Sequence, residues 1–358
     1  MSIPEEFKIN DIRALKDFSE KTFSGYLKSD VYKALFNAIT EFKIEETCNW
    51  CIELVVSQQT DKLYEKFILY YAKYININNP KLPERLYKRY KTFINSKLSN
   101  YDVINSQVIR NHLTELSLLL CLSNKTKSIT LPKIKNDDFV HENLLKNLKA
   151  NDKNLINHSI KFNDPEEIKL ILNELWYCVT IKKLNLVLYW LSWIITYEKI
   201  LIKKKKQLMC AERKIEDIPK KFHGNFVWLL WDIIIKEANY KLDHDKNSQI
   251  QNLFNLYKKN YKKSKPVHII INAIMYFTNN YTINKSICNS NNVIIQAVAK
   301  INLLYQHKKK YQIVNKTIVG YEKEPKIKEK EKEKNKHIKK IVDKQNLVSN
   351  IDNLMLNI

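Results

Sequence analysis

Residues 63–94, LYEKFILYYAKYININNPKLPERLYKRYKTFI, decide the fold class. Leu63, Phe67, Tyr70, Tyr71 and Tyr74 recur at helical spacing, and Pro80 lies just beyond them as a stop. Pro83 then opens a second helix, with Leu86, Tyr90, Phe93 and Ile94 on one face and Arg85, Lys88, Arg89 and Lys91 crowding the rest. The same period extends in both directions. Ile109, Leu113, Leu116 and Leu120 make another stripe. Asn163-Asp164-Pro165-Glu166-Glu167 reads as a helix start, with a capping side chain, a proline in the first turn and acids that complement the helix dipole. Ser264-Lys265-Pro266 is a similar start. About a dozen helices joined by short polar links follow from this spacing. The prediction is an all-α, multi-helix array of stacked helical hairpins over residues 5–315.

Composition agrees and excludes much else. Only three glycines occur in 358 residues, Gly25, Gly224 and Gly320. A phosphate-cradling Walker loop or a dinucleotide fingerprint needs several glycines for close backbone approach, and neither is present. So few glycines, with eight prolines, also disfavour an all-β fold and its frequent turns. Net charge is +23, and the cations are almost all lysine; arginine stands only at 13, 85, 89, 110 and 213. Such charge points to a polyanionic partner. Abundant Asn and Ile beside the Lys are also what an AT-rich coding sequence supplies, and a reader of phosphates more often uses the bidentate arginine fork.

Four stretches organise the chain. Residues 1–122 read as one helical domain and 139–315 as a second. Between them, Ser123–Asp138 holds Asn, Lys, Thr, Ser and Pro132 with little periodicity and reads as a linker. Across it runs a repeat: Leu35, Ala38, Ile39, Ile44, Trp50 and Leu54 correspond at one constant offset to Leu175, Cys178, Val179, Leu184, Trp190 and Ile194. Residues 316–358 form a charged tail expected to be disordered, in which Lys and Glu alternate through Glu322–Lys340. Leu347, Ile351, Leu354 and Ile358 then regain helical spacing, the pattern of a tethered segment that docks on a partner.

No catalytic or cofactor motif stands out. Cys48-Asn49-Trp50-Cys51 is a CxxC, but no second pair completes a zinc site, and the pattern around it is helical. These cysteines read as small buried hydrophobes. Asp137, Asp138, His141 and Glu142, and next Asp243-His244-Asp245, gather metal-ligand types, although both groups flank predicted helix ends where acids are favoured anyway. Hence no metal and no cofactor are expected. The basic runs Lys203–Lys206 and Lys308–Lys310 sit at helix ends, where solvated cations complement the dipole. The nucleic-acid candidate is the run Tyr257, Lys258, Lys259, Tyr261, Lys262, Lys263 and Lys265, because lysines interleaved with tyrosines combine phosphate contact with base stacking. Tryptophans 50, 176, 190, 193, 228 and 231 lie in apolar helical stretches and read as core. The start, Met1-Ser2-Ile3-Pro4-Glu5-Glu6, lacks a signal-peptide layout and no apolar run spans a bilayer, so the expected setting is intracellular with reduced thiols.

Two stretches resemble the helical C-terminal region of clamp-loader-like AAA+ ATPases of the RarA/MgsA type, which act at replication forks. One is Lys33-Ala34-Leu35-Phe36-Asn37-Ala38-Ile39, then Trp50 through Leu54, then Asn78-Asn79-Pro80; the other is Val187-Leu188-Tyr189-Trp190-Leu191-Ser192-Trp193-Ile194. They cover under a quarter of the chain. The ATPase module has no counterpart, and no catalytic residue carries over. The Lys/Asn/Ile-rich style also resembles proteins of nucleocytoplasmic large DNA viruses, which implies a viral factory in the host cytoplasm or nucleus, or the virion. The resulting expectation is a non-enzymatic basic scaffold or adaptor in viral-type DNA replication, repair or transcription. A structural protein of the particle interior or capsid is the alternative, and an enzyme with scattered residues is a third. Expected partners are DNA or RNA through phosphate contacts and a protein through the C-terminal segment, with self-association open and no membrane.

Overall fold

The computed structural model describes residues 3–261, 266–283, 286–288 and 290–314. Thirteen α-helices occur among them: α1 Lys28–Thr40, α2 Ile44–Val56, α3 Thr60–Tyr70, α4 Leu82–Ser96, α5 Asn100–Ile104, α6 Gln107–Leu122, α7 His141–Asn147, α8 Glu166–Thr180, α9 Leu184–Lys203, α10 Phe226–Lys241, α11 His244–Asn260, α12 Val267–Thr278 and α13 Asn291–Lys309. Among the described residues the one β-type pairing is an isolated bridge between Lys21 and Leu27. The fold is all-α, as the periodicity predicts.

Helix ends in this glycine-poor chain are made without glycine. Phe42, Gln58, Lys182 and Lys205 all adopt left-handed backbone, with φ of 60°, 58°, 56° and 58°. Each lets the next amide reach back across the helix end: Lys43 N–H to Ala38 O, Gln59 to Leu54, Lys183 to Cys178 and Lys206 to Leu201, all at 2.9 Å. A non-glycine residue in that conformation costs about 1–2 kcal/mol, which the packing of the joined helices must offset.

The chain divides into two compact units. They are not the two contiguous halves that the sequence suggests. Unit 1 takes Met1–Leu63, Ser96–Leu122 and the chain from Ser290 onward; unit 2 takes Tyr64–Asn95 and Ser123–Asn289. The expected linker therefore opens the second segment of unit 2. It is packed there: Thr126 N–H donates to Tyr74 O, Ser192 Oγ donates to Pro132 O, and Ile134 is buried. Such backbone bonding holds a segment that lacks helical period.

In unit 1, α2 packs on α1 and α6, and α13 packs on α6 and α2. The N-terminal segment is tied to both: Ile9 exchanges hydrogen bonds with the Asn105 side chain, and Ile12 N–H donates to Ile313 O. In unit 2, α8 pairs with α9, α10 with α11, and α11 with α12, while α12 also lies on α8. A π-helical turn, Tyr71–Ile75, continues α3 and packs against α12. It ends at Asn76, whose φ is +43°. The run of helical turns through Leu63 thus ends before Pro80, as expected. Ile94, placed on the apolar face of α4, is instead exposed.

The repeat is present in the structure as two equivalent hairpins, one in each unit. Helices α1 and α8 end at Thr40 and Thr180; α2 and α9 begin at Ile44 and Leu184. The left-handed residues Phe42 and Lys182 correspond, as do the reaching amides of Lys43 and Lys183. Leu35, Ala38, Ile39 and Leu54 are buried in one hairpin, and Leu175, Cys178, Val179 and Ile194 in the other. Burying such a side chain contributes about 1.5–3 kcal/mol for the larger aliphatics, so the shared pattern is a shared core.

Candidate functional site

The nucleic-acid candidate run divides sharply. Tyr257 lies wholly inside unit 2, its ring 5.6 Å from Trp228 and 5.3 Å from Trp231. Tyr261 lies 4.7 Å from Trp228 and 5.8 Å from Phe222. Burial pushes the Tyr257 hydroxyl far above its ordinary range, and burial followed by the Glu198 charge pushes that of Tyr261 up to about 12. The Tyr257 ring is therefore not free to stack on a base, whereas Tyr261 keeps part of its surface exposed. The reason is the period of α11: Tyr257 falls in line with Ile250 and Leu253 on the face turned to α10. Lys258 and Lys259 remain half-exposed, lying over the rings of Phe254 and Tyr90. Lys262, Lys263 and Lys265 lie outside the described residues, as do Leu347, Ile351, Leu354 and Ile358.

Both cysteines of the CxxC are buried on α2, and burial first of all drives the Cys48 thiol up and that of Cys51 to about 12. The two acidic groups serve helix ends. Asp243 caps α11 by accepting from Lys246 N–H, and Asp138 accepts from Lys135 N–H and the Tyr189 hydroxyl. No group of three or more metal-ligating side chains converges among the described residues. Nor is any of their helices long and apolar enough to cross a membrane.

The strongest electrostatics are internal, and sequence reading missed them. In unit 1, Lys308 Nζ lies 2.7 Å from Glu53 Oε2, with both side chains almost fully enclosed. Lys308 was expected to be solvated at a helix end. Instead Glu53 collects it together with the amide and hydroxyl of Ser24 at 2.8 and 2.7 Å. Burial pushes the Glu53 carboxyl up, but Lys308 and Ser24 outweigh it and hold the carboxyl below its usual value. In unit 2, Asp164 does not cap α8; Pro165 takes that position with no side-chain cap. Asp164 is enclosed, bonded to both terminal nitrogens of Arg213 at 2.8 Å and to the amides of Lys161 and Ala211. There too burial raises the carboxyl, and Arg213 with the amides brings it below normal.

Three of the five arginines are clamps of this kind. Arg110 is fully buried, donates to the carbonyls of Ile104 and Phe7 and to the side chains of Asn302 and Asn105, and lies 3.7 Å over the Tyr305 ring. Arg13 grips Asp11 and the carbonyls of Phe23 and Tyr311. A planar fork with five donors does this; a lysine ammonium does not. The scarcity of arginine in a lysine-rich chain was the signal that could have found them.

One open cleft belongs to unit 2 alone. It encloses about 510 Å³ and is walled by Leu69, Lys73, residues 128–131, Asn260, Pro266, Val267 and His268. Lys73 comes from the π turn, and His268 sits in the first turn of α12. Asn260 and Pro266 stand on either side of Lys262, Lys263 and Lys265 of the candidate run. Burial, and then the charge of Lys73, lower the His268 imidazole below its ordinary value. No family model, no curated protein and no solved structure matches this chain.

Proposed function

We propose that this protein is a non-enzymatic, basic helical scaffold that assembles partners on nucleic acid in viral-type DNA replication, repair or transcription. The observation that carries the reading is the fate of the charge. The two enclosed pairs, Glu53–Lys308 and Asp164–Arg213, are neutral in sum, and the other buried charged residues among those described, Arg110, Glu174 and Glu237, bring no net positive charge, so the cationic excess lies outside the cores. Eleven lysines and seven carboxylates lie beyond Val314, an excess of four, which leaves nineteen of the twenty-three positive charges on residues 1–314. A helical body with that excess attracts phosphate backbones through counterion release.

The deepest carboxylates support the non-enzymatic part, because they act as struts. Glu174 accepts the amides of Lys149 and Ala150, both at 2.9 Å, as Glu53 and Asp164 accept theirs. The duplicated hairpin supports a scaffold, since helical-hairpin proteins work through the surfaces that their repeats display. The stretches resembling clamp-loader-like ATPases fall largely on the same hairpins, on α1 with α2 and on α9, with Asn78-Asn79-Pro80 outside them. The C-terminal segment around Leu347, Ile351, Leu354 and Ile358 would add a protein partner. Affinity capture from infected cells with the full chain and with a chain lacking residues 341–358 tests this. Recovery of replication or transcription proteins by the full chain, and their loss on truncation, is the expected result. Recovery of particle proteins alone would replace the scaffold by the structural alternative.

A further inference from the structure

The cleft of unit 2 is built from four separate segments: the π turn after α3, residues 128–131, the end of α11 and the start of α12. Two of its wall residues bear or acquire positive charge, Lys73 and His268, and no carboxylate stands among the described residues that wall it. The repulsion is felt, since Lys73 disfavours the protonated imidazole. Two basic residues in the wall of one cleft, without an acid among its described wall residues, are an arrangement that an anion relieves.

The remaining wall extends the same chemistry. His268 and Val267 open the twelve-residue α12, whose first amides carry the positive end of the helix dipole, and no side chain caps that end. Ser128 and Thr130 add hydroxyls from the opposite segment. Asn260, more than nine-tenths buried, adds a side-chain amide to the wall and donates one hydrogen to Leu256 O. Leu69, Ile129, Leu131, Pro266 and Val267 supply an apolar surface beside these donors. The volume lies in the range of about 300–1,000 Å³ that takes small organic ligands.

We propose that this cleft binds a phosphate monoester carried on an apolar or aromatic body, with Lys73, His268 and the first turn of α12 on the phosphate. The dianion matches two cationic groups, and the apolar wall receives the base or ring. The phosphate comes either from a free mononucleotide or from the 5′ end of a nucleic-acid strand. This proposal is independent of the scaffold reading, because it concerns one cleft rather than the diffuse charge.

Calorimetric titration of the full chain with thymidine 5′-monophosphate, thymidine and inorganic phosphate, and with a short thymidine oligomer bearing a 5′-phosphate or a 5′-hydroxyl, tests it. The phosphorylated form is expected to bind at least tenfold tighter than its dephosphorylated counterpart in one of the two series. Lys73→Glu should abolish that preference, and His268→Gln should reduce it several-fold, while low-salt binding of duplex DNA by the same variants persists. Preference in the mononucleotide series assigns a free ligand; preference in the oligomer series alone assigns a strand end. A second readout needs no variant: the His268 imidazole, followed by NMR in the wild-type chain, should titrate at higher pH when the phosphorylated ligand is present. Equal binding of phosphorylated and dephosphorylated forms, or a preference untouched by Lys73→Glu with an unmoved His268 titration, overturns the proposal.

Discussion

Replacing Lys308 by methionine removes the cation from the enclosed pair with Glu53 and keeps most of the side-chain volume. Breaking a buried ion pair from one side costs about 3–5 kcal/mol, because the other charge is left uncompensated. Glu53 keeps its two hydrogen bonds from Ser24, so the lower end applies, about 3 kcal/mol at pH 7. With a urea dependence of about 2 kcal/mol per molar, the midpoint should fall by about 1.5 M. The pH sense follows from the carboxyl. In the wild-type chain its value is depressed, so the pair stabilises fully above the ordinary glutamate range, and that stability is lost as pH falls through the depressed value. In the variant, burial acts without Lys308 and the carboxyl is raised, so it takes up a proton earlier and the penalty shrinks. The difference between wild type and Lys308→Met should therefore be smaller at pH 4 than at pH 7. Adding Glu53→Gln to Lys308→Met should recover part of the loss. Urea unfolding followed by circular dichroism reads the midpoints, and hydrogen exchange in α2 and α13 assigns the transition. A loss below 1 kcal/mol, or an equal loss at both pH values, refutes the reasoning.

Arg213→Lys keeps the charge beside Asp164 but gives up the fork, and should lower the stability of unit 2 by about 2–3 kcal/mol in the same urea assay. Phe42→Gly and Lys182→Gly relieve left-handed strain at equivalent turns, so each should raise stability by about 0.5–1 kcal/mol; opposite signs would break the equivalence of the hairpins. Of the six thiols only Cys288 is not buried, so a thiolate-selective reagent at pH 8 should label one cysteine rapidly and Cys48 and Cys51 only on unfolding. Binding of a phosphate monoester in the cleft should tighten from pH 8 toward pH 6.5, because the ligand favours the protonated form of an imidazole that burial and Lys73 otherwise hold neutral. Glutamine at 268 should flatten that dependence in calorimetry.

The helices were legible because apolar period is local information. The stripe from Leu63 to Tyr71, the stripe from Ile109 to Leu120 and five of the six tryptophans are core in the structure, while Trp50 is half-buried. The repeat was legible because both hairpins keep one offset through the turn, where Thr40 and Thr180 end equivalent helices. What failed was long-range. Glu53 and Lys308 are 255 residues apart, so nothing near Lys308 announces that a helix-end lysine is enclosed. Asp164 looked like a cap because Asp before Pro-Glu-Glu is a common helix start, and Arg213, 49 residues on, competes for the same carboxylate. Tyr257 failed for a different reason: lysines around a tyrosine describe its neighbours in sequence, whereas the helical period decides which side of α11 it takes. The interleaved units escaped because α3 and α4 join elements far along the chain, and the cleft is drawn from four separate segments.

On the proposed function, the positive charge carried outside the cores is a phosphate-binding surface. The most direct test is a fluorescence-anisotropy titration of the full chain against labelled DNA duplexes of unrelated sequence, repeated across a salt series. The account predicts similar affinities for all sequences and a steep linear fall of log affinity with log salt, the slope reporting the counterions released by several lysine contacts. No binding at low salt, or binding that ignores salt, would contradict it and leave the lysines as the solvated product of codon composition.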